Sequence, residues 1–101
     1  MSVIRTKSSD GKTITIKTDN KFDYSSHTAF RASYNNESDT GISYIIDMRN
    51  TDYMDSSALG MLLLLREHAG NGVSNISIIN CNEEIKNILA ISNFHKLFNI
   101  N

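Results

Sequence analysis

A run of five apolar residues, Met61-Leu62-Leu63-Leu64-Leu65, follows directly behind Tyr53-Met54-Asp55-Ser56-Ser57-Ala58-Leu59-Gly60. It is the longest apolar stretch of the chain and far short of the roughly 20 residues that a membrane-spanning helix needs. At about 100° per residue, Ala58, Leu62, Leu65 and Ala69 make one stripe suited to a sheet, while Leu64 falls near the opposite side with Gly60 and Glu67, and Met61 and Leu63 lie on the flanks. A helix apolar nearly all round is either wholly buried or has a partner. In a chain of 101 residues complete burial is not expected. This helix therefore packs on a sheet with one face and leaves Gly60, Leu63 and Leu64 as a docking surface, Gly60 allowing close approach to the backbone. Ser56 and Ser57 stand at its start, where free N–H groups meet the positive end of the helix dipole. A hydroxyl there is either an N-cap or a place for a phosphate.

Strand and helix patterns alternate along the rest of the chain. Val3 to Lys7 reads as an edge strand, Ser9-Asp10-Gly11-Lys12 as a hairpin turn, and Thr13-Ile14-Thr15-Ile16-Lys17 as a half-buried strand paired with the first. After a loop over 19–24, Ser25 or Ser26 caps a helix reaching about Asn35, with Ala29, Phe30 and Tyr34 turned inward. Ile42 to Met48 reads as a central strand. The helix from about Ser57 to Ala69 ends at Gly70-Asn71-Gly72. Asn75 to Asn80 is a further strand, and Glu83 to Ile91 a third helix with Ile85, Ile88 and Leu89 on one side. Phe94, Leu97, Phe98 and Ile100 close the chain. The order β-β-α-β-α-β-α predicts an α/β fold. It is a small mixed sheet with parallel pairing, right-handed crossovers and helices mainly on one face, forming a single domain over 1–101.

Composition excludes several functions. The net charge is -1, and no basic stripe interleaved with aromatics occurs, so nucleic acid is not an expected partner. The one cysteine, Cys81, cannot form an internal disulfide and is expected as a buried strand-end residue in a reducing, cytoplasmic setting. His27, His68 and His95 lack ligand spacing, so no metal is expected. No signal-peptide core precedes the first strand. Ser56 as a nucleophile would need a base and an oxyanion hole, yet there is no Gly-x-Ser-x-Gly elbow, no histidine placed to activate it, and no Gly-rich phosphate loop. Neither an enzyme nor a cofactor is expected. Tyr24, Tyr44 and Tyr53 read as packing or rim residues. His68 reads as a polar residue near a helix C-terminus, where a cation is favoured.

Asp47-Met48-Arg49-Asn50-Thr51-Asp52-Tyr53-Met54-Asp55-Ser56-Ser57-Ala58-Leu59-Gly60 resembles the signature of STAS domains, in particular bacterial anti-sigma-factor antagonists. In that family a strand ends in an acidic residue, a short loop follows, and Asp-Ser-Ser/Thr-Gly-Leu-Gly opens a helix. Phe22-Asp23 is similar to the upstream Leu-Asp element, Asn75–Asn80 to the following strand, and Ile91-Ser92-Asn93-Phe94 to a late Ser-Gly-Leu turn. Ala58 stands where the family has Gly, Asn20-Lys21 where it has Gly-Glu, and Asn93-Phe94 depart from the late turn. No counterpart of the fourth helix of longer members is expected.

The resemblance implies a partner-switching regulator of transcription or signalling. Ser56 would be the phosphorylated residue, with Ser57 the fallback. A serine kinase that is also an anti-sigma factor would bind the unmodified form and release the modified one, and a PP2C-like phosphatase would remove the phosphate. Asp23, Asp55, Ser57, Gly60, Leu63 and Leu64 would face the partner. The chain would act as a monomer or weak dimer away from membranes. The added phosphate, roughly -1.5 to -2 charges beside Asp52, Asp55 and Asp23, would act as an electrostatic and steric switch rather than refold the domain. The competing reading is an unphosphorylated STAS-type module of a transporter, a stressosome or a lipid-trafficking assembly.

Overall fold

The computed structural model describes residues 3–38, 41–70 and 75–101. Its main sheet has five strands in the order β1-β2-β4-β6-β7. These are β1 (Ile4–Lys7), β2 (Thr13–Lys17), β4 (Ser43–Asp47), β6 (Ile76–Ile79) and β7 (Asn99–Ile100). Only β1 is antiparallel, and it pairs with β2 as the alternation predicts. The other pairs are parallel. A two-stranded parallel sheet stands apart from this one, formed by β3 (Lys21–Phe22) and β5 (Tyr53–Met54). The helices are α1 (His27–Ala32), α2 (Ser56–His68) and α3 (Glu83–Ile91).

Register explains the core. Ile14 pairs with Tyr44 and Tyr44 with Ile76, while Ile16 pairs with Ile46 and Ile46 with Ile78, so two cross-strand rows share one face. All six are buried. The opposite row, Thr15, Ile45 and Ser77, is only partly covered. Ala58, Leu62, Leu65 and Ala69 of the predicted stripe are buried, and Met61, expected on the flank, joins them. Phe22, Phe30, Ile85, Leu89, Phe94 and Phe98 complete the cluster.

Local chemistry sets the element ends. In the first hairpin Ser8 Oγ donates to Asp10 Oδ1 at 2.6 Å, and Gly11 takes a φ of 73°, a conformation that costs glycine little. Gly70 stops α2 with a φ of 95°; Asn71 and Gly72 lie outside the described residues. Asn82 caps α3 by accepting from Ile85 N at 2.8 Å. Asn93 has a φ of 60°, the left-handed conformation that Asn tolerates better than most residues.

Several expectations need correction. Ser26 stands at the N-cap position of α1 but makes no side-chain cap bond; the capping side chain is Asp23, which closes the 3-10 turn at Tyr24–Ser26 that leads into α1, and α1 ends at Ala32 rather than near Asn35. Ala29 is exposed, because the short helix presents only Phe30 to the core. α2 starts one residue early, at Ser56. Cys81 is half-buried, just past the end of β6. The pair β3–β5 and the strand β7 are unpredicted; each strand is two residues long, too short to show a period.

Candidate functional site

The start of α2 is built by Asp55. Its backbone is extended and its Oδ1 accepts from Ser57 N at 3.1 Å, Ala58 N at 3.3 Å and Ser57 Oγ at 2.6 Å. Donors crowding the ionised carboxylate, the Ser57 hydroxyl foremost, hold its pKa below the usual range. The cap is therefore the aspartate, and both serines move one position into the helix relative to the sequence reading. Ser57 has its hydroxyl committed to Asp55. Ser56, the first residue of α2, is exposed, and its hydroxyl has no hydrogen-bond partner among the described residues.

Asp23 repeats this arrangement. Its Oδ1 accepts from Ser25 N at 3.0 Å and from Ser25 Oγ at 2.5 Å. β3 and β5 run parallel with Lys21 opposite Tyr53 and Phe22 opposite Met54, so Asp23 and Asp55 each follow the last paired residue of adjoining strands. Two aspartate-capped helical starts thus leave one small sheet side by side. Tyr24 follows Asp23 as Ser56 follows Asp55; it is 69% exposed and stacked on His27 with ring centroids 5.0 Å apart.

From Ser56 the exposed stripe of α2 continues through Gly60, Leu63, Leu64 and Glu67. Leu63 is 42% and Leu64 49% exposed. A Cβ built on Gly60 meets no atom within 4 Å, so nothing inside the described chain requires glycine there. Ala58, in contrast, is fully buried, so its methyl fills core space. Farther down, Leu64, Glu67 and His68 line a shallow cleft with Arg31, Tyr34 and Asn35. His68 does more than cap a dipole: its Nε2 lies 2.6 Å from the Glu37 carbonyl oxygen, which makes Nε2 the donor, and its ring packs on Tyr34 at 5.0 Å.

Sequence reasoning missed a polar layer beneath this surface. Asp47, at the end of β4, accepts from Asn80 Nδ2 and Arg49 N, each at 3.0 Å. Burial pushes its carboxyl up, but those two donors and the charges of Arg49 and Lys17 outweigh it and hold the pKa below the usual range. Thr18 and Thr51 are buried and hydrogen-bonded to each other. Thr18 was legible, since it is the next inward position after Ile14 and Ile16; nothing in the local pattern marks Thr51.

The model of the STAS domain family matches residues 4–101. The chain belongs to the STAS domain family. A STAS-domain containing protein of Pseudomonas aeruginosa (strain UCBPP-PA14) is 48% identical over 100 residues, covering 99% of each chain. Among solved structures, the anti-sigma factor antagonist SpoIIAA in its unphosphorylated form superposes with a TM-score of 0.67 at 14% identity, over 89% of this chain and 83% of that one. The Bacillus cell fate determinant SpoIIAA in the phosphorylated form gives 0.73 at 15% identity, over 99% of this chain and 91% of that one. At such identities the likeness establishes the fold, which is the expected STAS-like α/β architecture. No helix among the described residues is long and apolar enough to cross a membrane, and no three His, Cys, Asp or Glu side chains among them are grouped to hold a metal.

Proposed function

We propose that this STAS domain is an anti-sigma-factor-antagonist-like regulator whose hold on a protein partner is released by phosphorylation of Ser56. The observation that carries the reading is the division of labour at the start of α2. Asp55 and Ser57 satisfy the cap, and Ser56 presents an exposed hydroxyl with no hydrogen-bond partner among the described residues. Ser57 is a poorer acceptor because its proton is directed at Asp55.

The chemistry fits a switch. A phosphate on Ser56 would stand at the first residue of a 13-residue helix, where the positive end of the helix dipole favours negative charge, so the domain stays folded. It would also enlarge a negative patch made by Asp55, Asp52 and Asp23. A partner fitted to the unmodified Ser56 and to Gly60, Leu63 and Leu64 would then meet both bulk and repulsion. That partner is a serine kinase of the anti-sigma-factor type, opposed by a PP2C-like phosphatase. No step of this scheme calls on chemistry by the STAS domain itself.

Phosphopeptide mapping of the protein isolated from cells that express it naturally tests the proposal. One phosphate on Ser56, absent from Ser56→Ala, is expected. Phosphorylation of Ser57 instead, or none under any growth condition, overturns the assignment; the second outcome favours an unphosphorylated interaction module.

A further inference from the structure

Two threonines are buried where three loops meet at the carboxyl ends of the parallel strands. Thr51, in the loop that leads to Ser56, is 1% exposed, as is Thr18 at the end of β2. The Thr51 hydroxyl donates to the Asp19 carbonyl at 2.7 Å, and the two threonine oxygens are 2.5 Å apart. A hydroxyl has one proton. Since that of Thr51 goes to Asp19, Thr18 must donate to Thr51, giving a directed relay from Thr18 to Thr51 to Asp19. Beside it, Asp52 N and Tyr53 N donate to the Asn20 carbonyl at 2.8 and 3.0 Å. Asn82 Nδ2 reaches the Thr51 carbonyl at 3.4 Å. The relay therefore ties the loop after β2, which leads to Asp23, to the loop after β4, which leads to Asp55 and Ser56.

The sheet it supports is slight. β3 and β5 have two residues each, and an isolated two-stranded pair is marginal in water. We infer that Thr51 is a positioning residue: its hydroxyl relay holds the Asp55–Ser56 start of α2 in register with the Asp23-capped turn ahead of α1, so that a partner meets both as one surface. The functional weight of that surface rests on the reading of Ser56 given above, whereas the relay itself can be tested without any kinase or partner.

Valine matches threonine in shape and lacks the hydroxyl. Thr51→Val takes the Thr51 donor away from the Asp19 carbonyl and leaves the buried Thr18 hydroxyl without its acceptor, a loss costly enough to open the site locally. Amide hydrogen exchange of the 15N-labelled full chain reads the effect. Exchange at Asp52 and Tyr53 is expected to speed up about tenfold more than at Ile46 and Ile78 of the main sheet. The amide resonances of Ser56 and Ser57 should move with it. Thr51→Ser, which keeps the hydroxyl, should behave as wild type. Thr18→Val removes only the first donor and should raise exchange at the same two amides by less; it decides the matter should Thr51→Val not fold. Uniform acceleration across the whole sheet, unchanged exchange at Asp52 and Tyr53, or a Thr51→Ser as disturbed as Thr51→Val overturns the positioning role. A relay that passes these tests in a protein never phosphorylated at Ser56 overturns the reading of Ser56 and not the relay.

Discussion

Leu62 and Leu64 stand two residues apart on α2, chemically identical, and the fold assigns them opposite tasks. Leu62 is 0% exposed in the cluster between helix and sheet; Leu64 is 49% exposed. Truncating a buried leucine to alanine removes its transfer free energy and leaves a cavity, typically costing 2–5 kcal/mol, so about 3 kcal/mol is expected for Leu62→Ala. In a domain near 100 residues each kcal/mol moves the midpoint by roughly 4–8 °C, which places the Leu62→Ala melt roughly 12–24 °C below wild type. Leu64 already has half its surface in water. Full burial of leucine is worth about 1.5–3 kcal/mol, half-burial about half of that, and alanine retains part of the contact with a better helix propensity. The net loss for Leu64→Ala is about 0.5 kcal/mol, a shift of a few degrees at most. Urea and thermal melts of the two variants, with unchanged m-values, measure the contrast. Equal losses would refute the assignment, because Leu64 would then be core and the exposed stripe would have nothing to offer a partner. Should the contrast hold, Leu64→Asp separates the tasks further, weakening partner binding while the domain stays folded.

Gly60→Ala should raise stability by about 0.5–1 kcal/mol, since alanine is the better helix former and its methyl meets open space. A thermal melt checks this, and a lower midpoint would show a contact that the backbone environment does not reveal. Asp47 has a depressed folded pKa, so its contribution is present above the ordinary carboxylate value of 3.8 and is lost as pH falls through the folded value. The stability gap between wild type and Asp47→Asn should therefore narrow on acidification in urea melts run as a pH series; a gap that widens below that range contradicts the sign. Ser56→Asp should melt within a few degrees of wild type, because negative charge at the first turn of α2 is tolerated. A large loss of stability would mean that phosphate acts by unfolding rather than at a surface.

Most of the frame was legible from short-range pattern. Thr13–Lys17 alternates, so its strand and its inward Ile14 and Ile16 follow from the period of two. The stripe Ala58, Leu62, Leu65 and Ala69 follows from the period of 3.6, and the spare face with Leu63 and Leu64 follows from the surplus of apolar residues. Gly11 and Gly70 mark turns because few other residues tolerate their backbone angles. Where the reading slipped, two local signals competed. Asp55-Ser56-Ser57 offers three capping side chains in a row, and propensity alone does not rank them. The extended backbone at Asp55 makes the aspartate the cap and leaves Ser56 outside it. The same competition hides Asp23, which caps the 3-10 turn ahead of α1, while Ser26 at the N-cap position of α1 makes no side-chain cap bond.

What the sequence determined by itself is the order of the longer strands and the helices, the inward faces and the family signature around Ser56, because each depends on residues within a turn or two of one another. What only the tertiary structure decided is the company those residues keep. Lys21-Phe22 and Tyr53-Met54 are 32 positions apart and too short to announce a strand, yet their pairing sets Asp23 alongside Asp55. Thr18 and Thr51 are polar side chains with no pattern in common, yet they meet in a buried relay, 33 positions apart. Contacts between distant segments depend on how the sheet stacks its loops, and no local period records that.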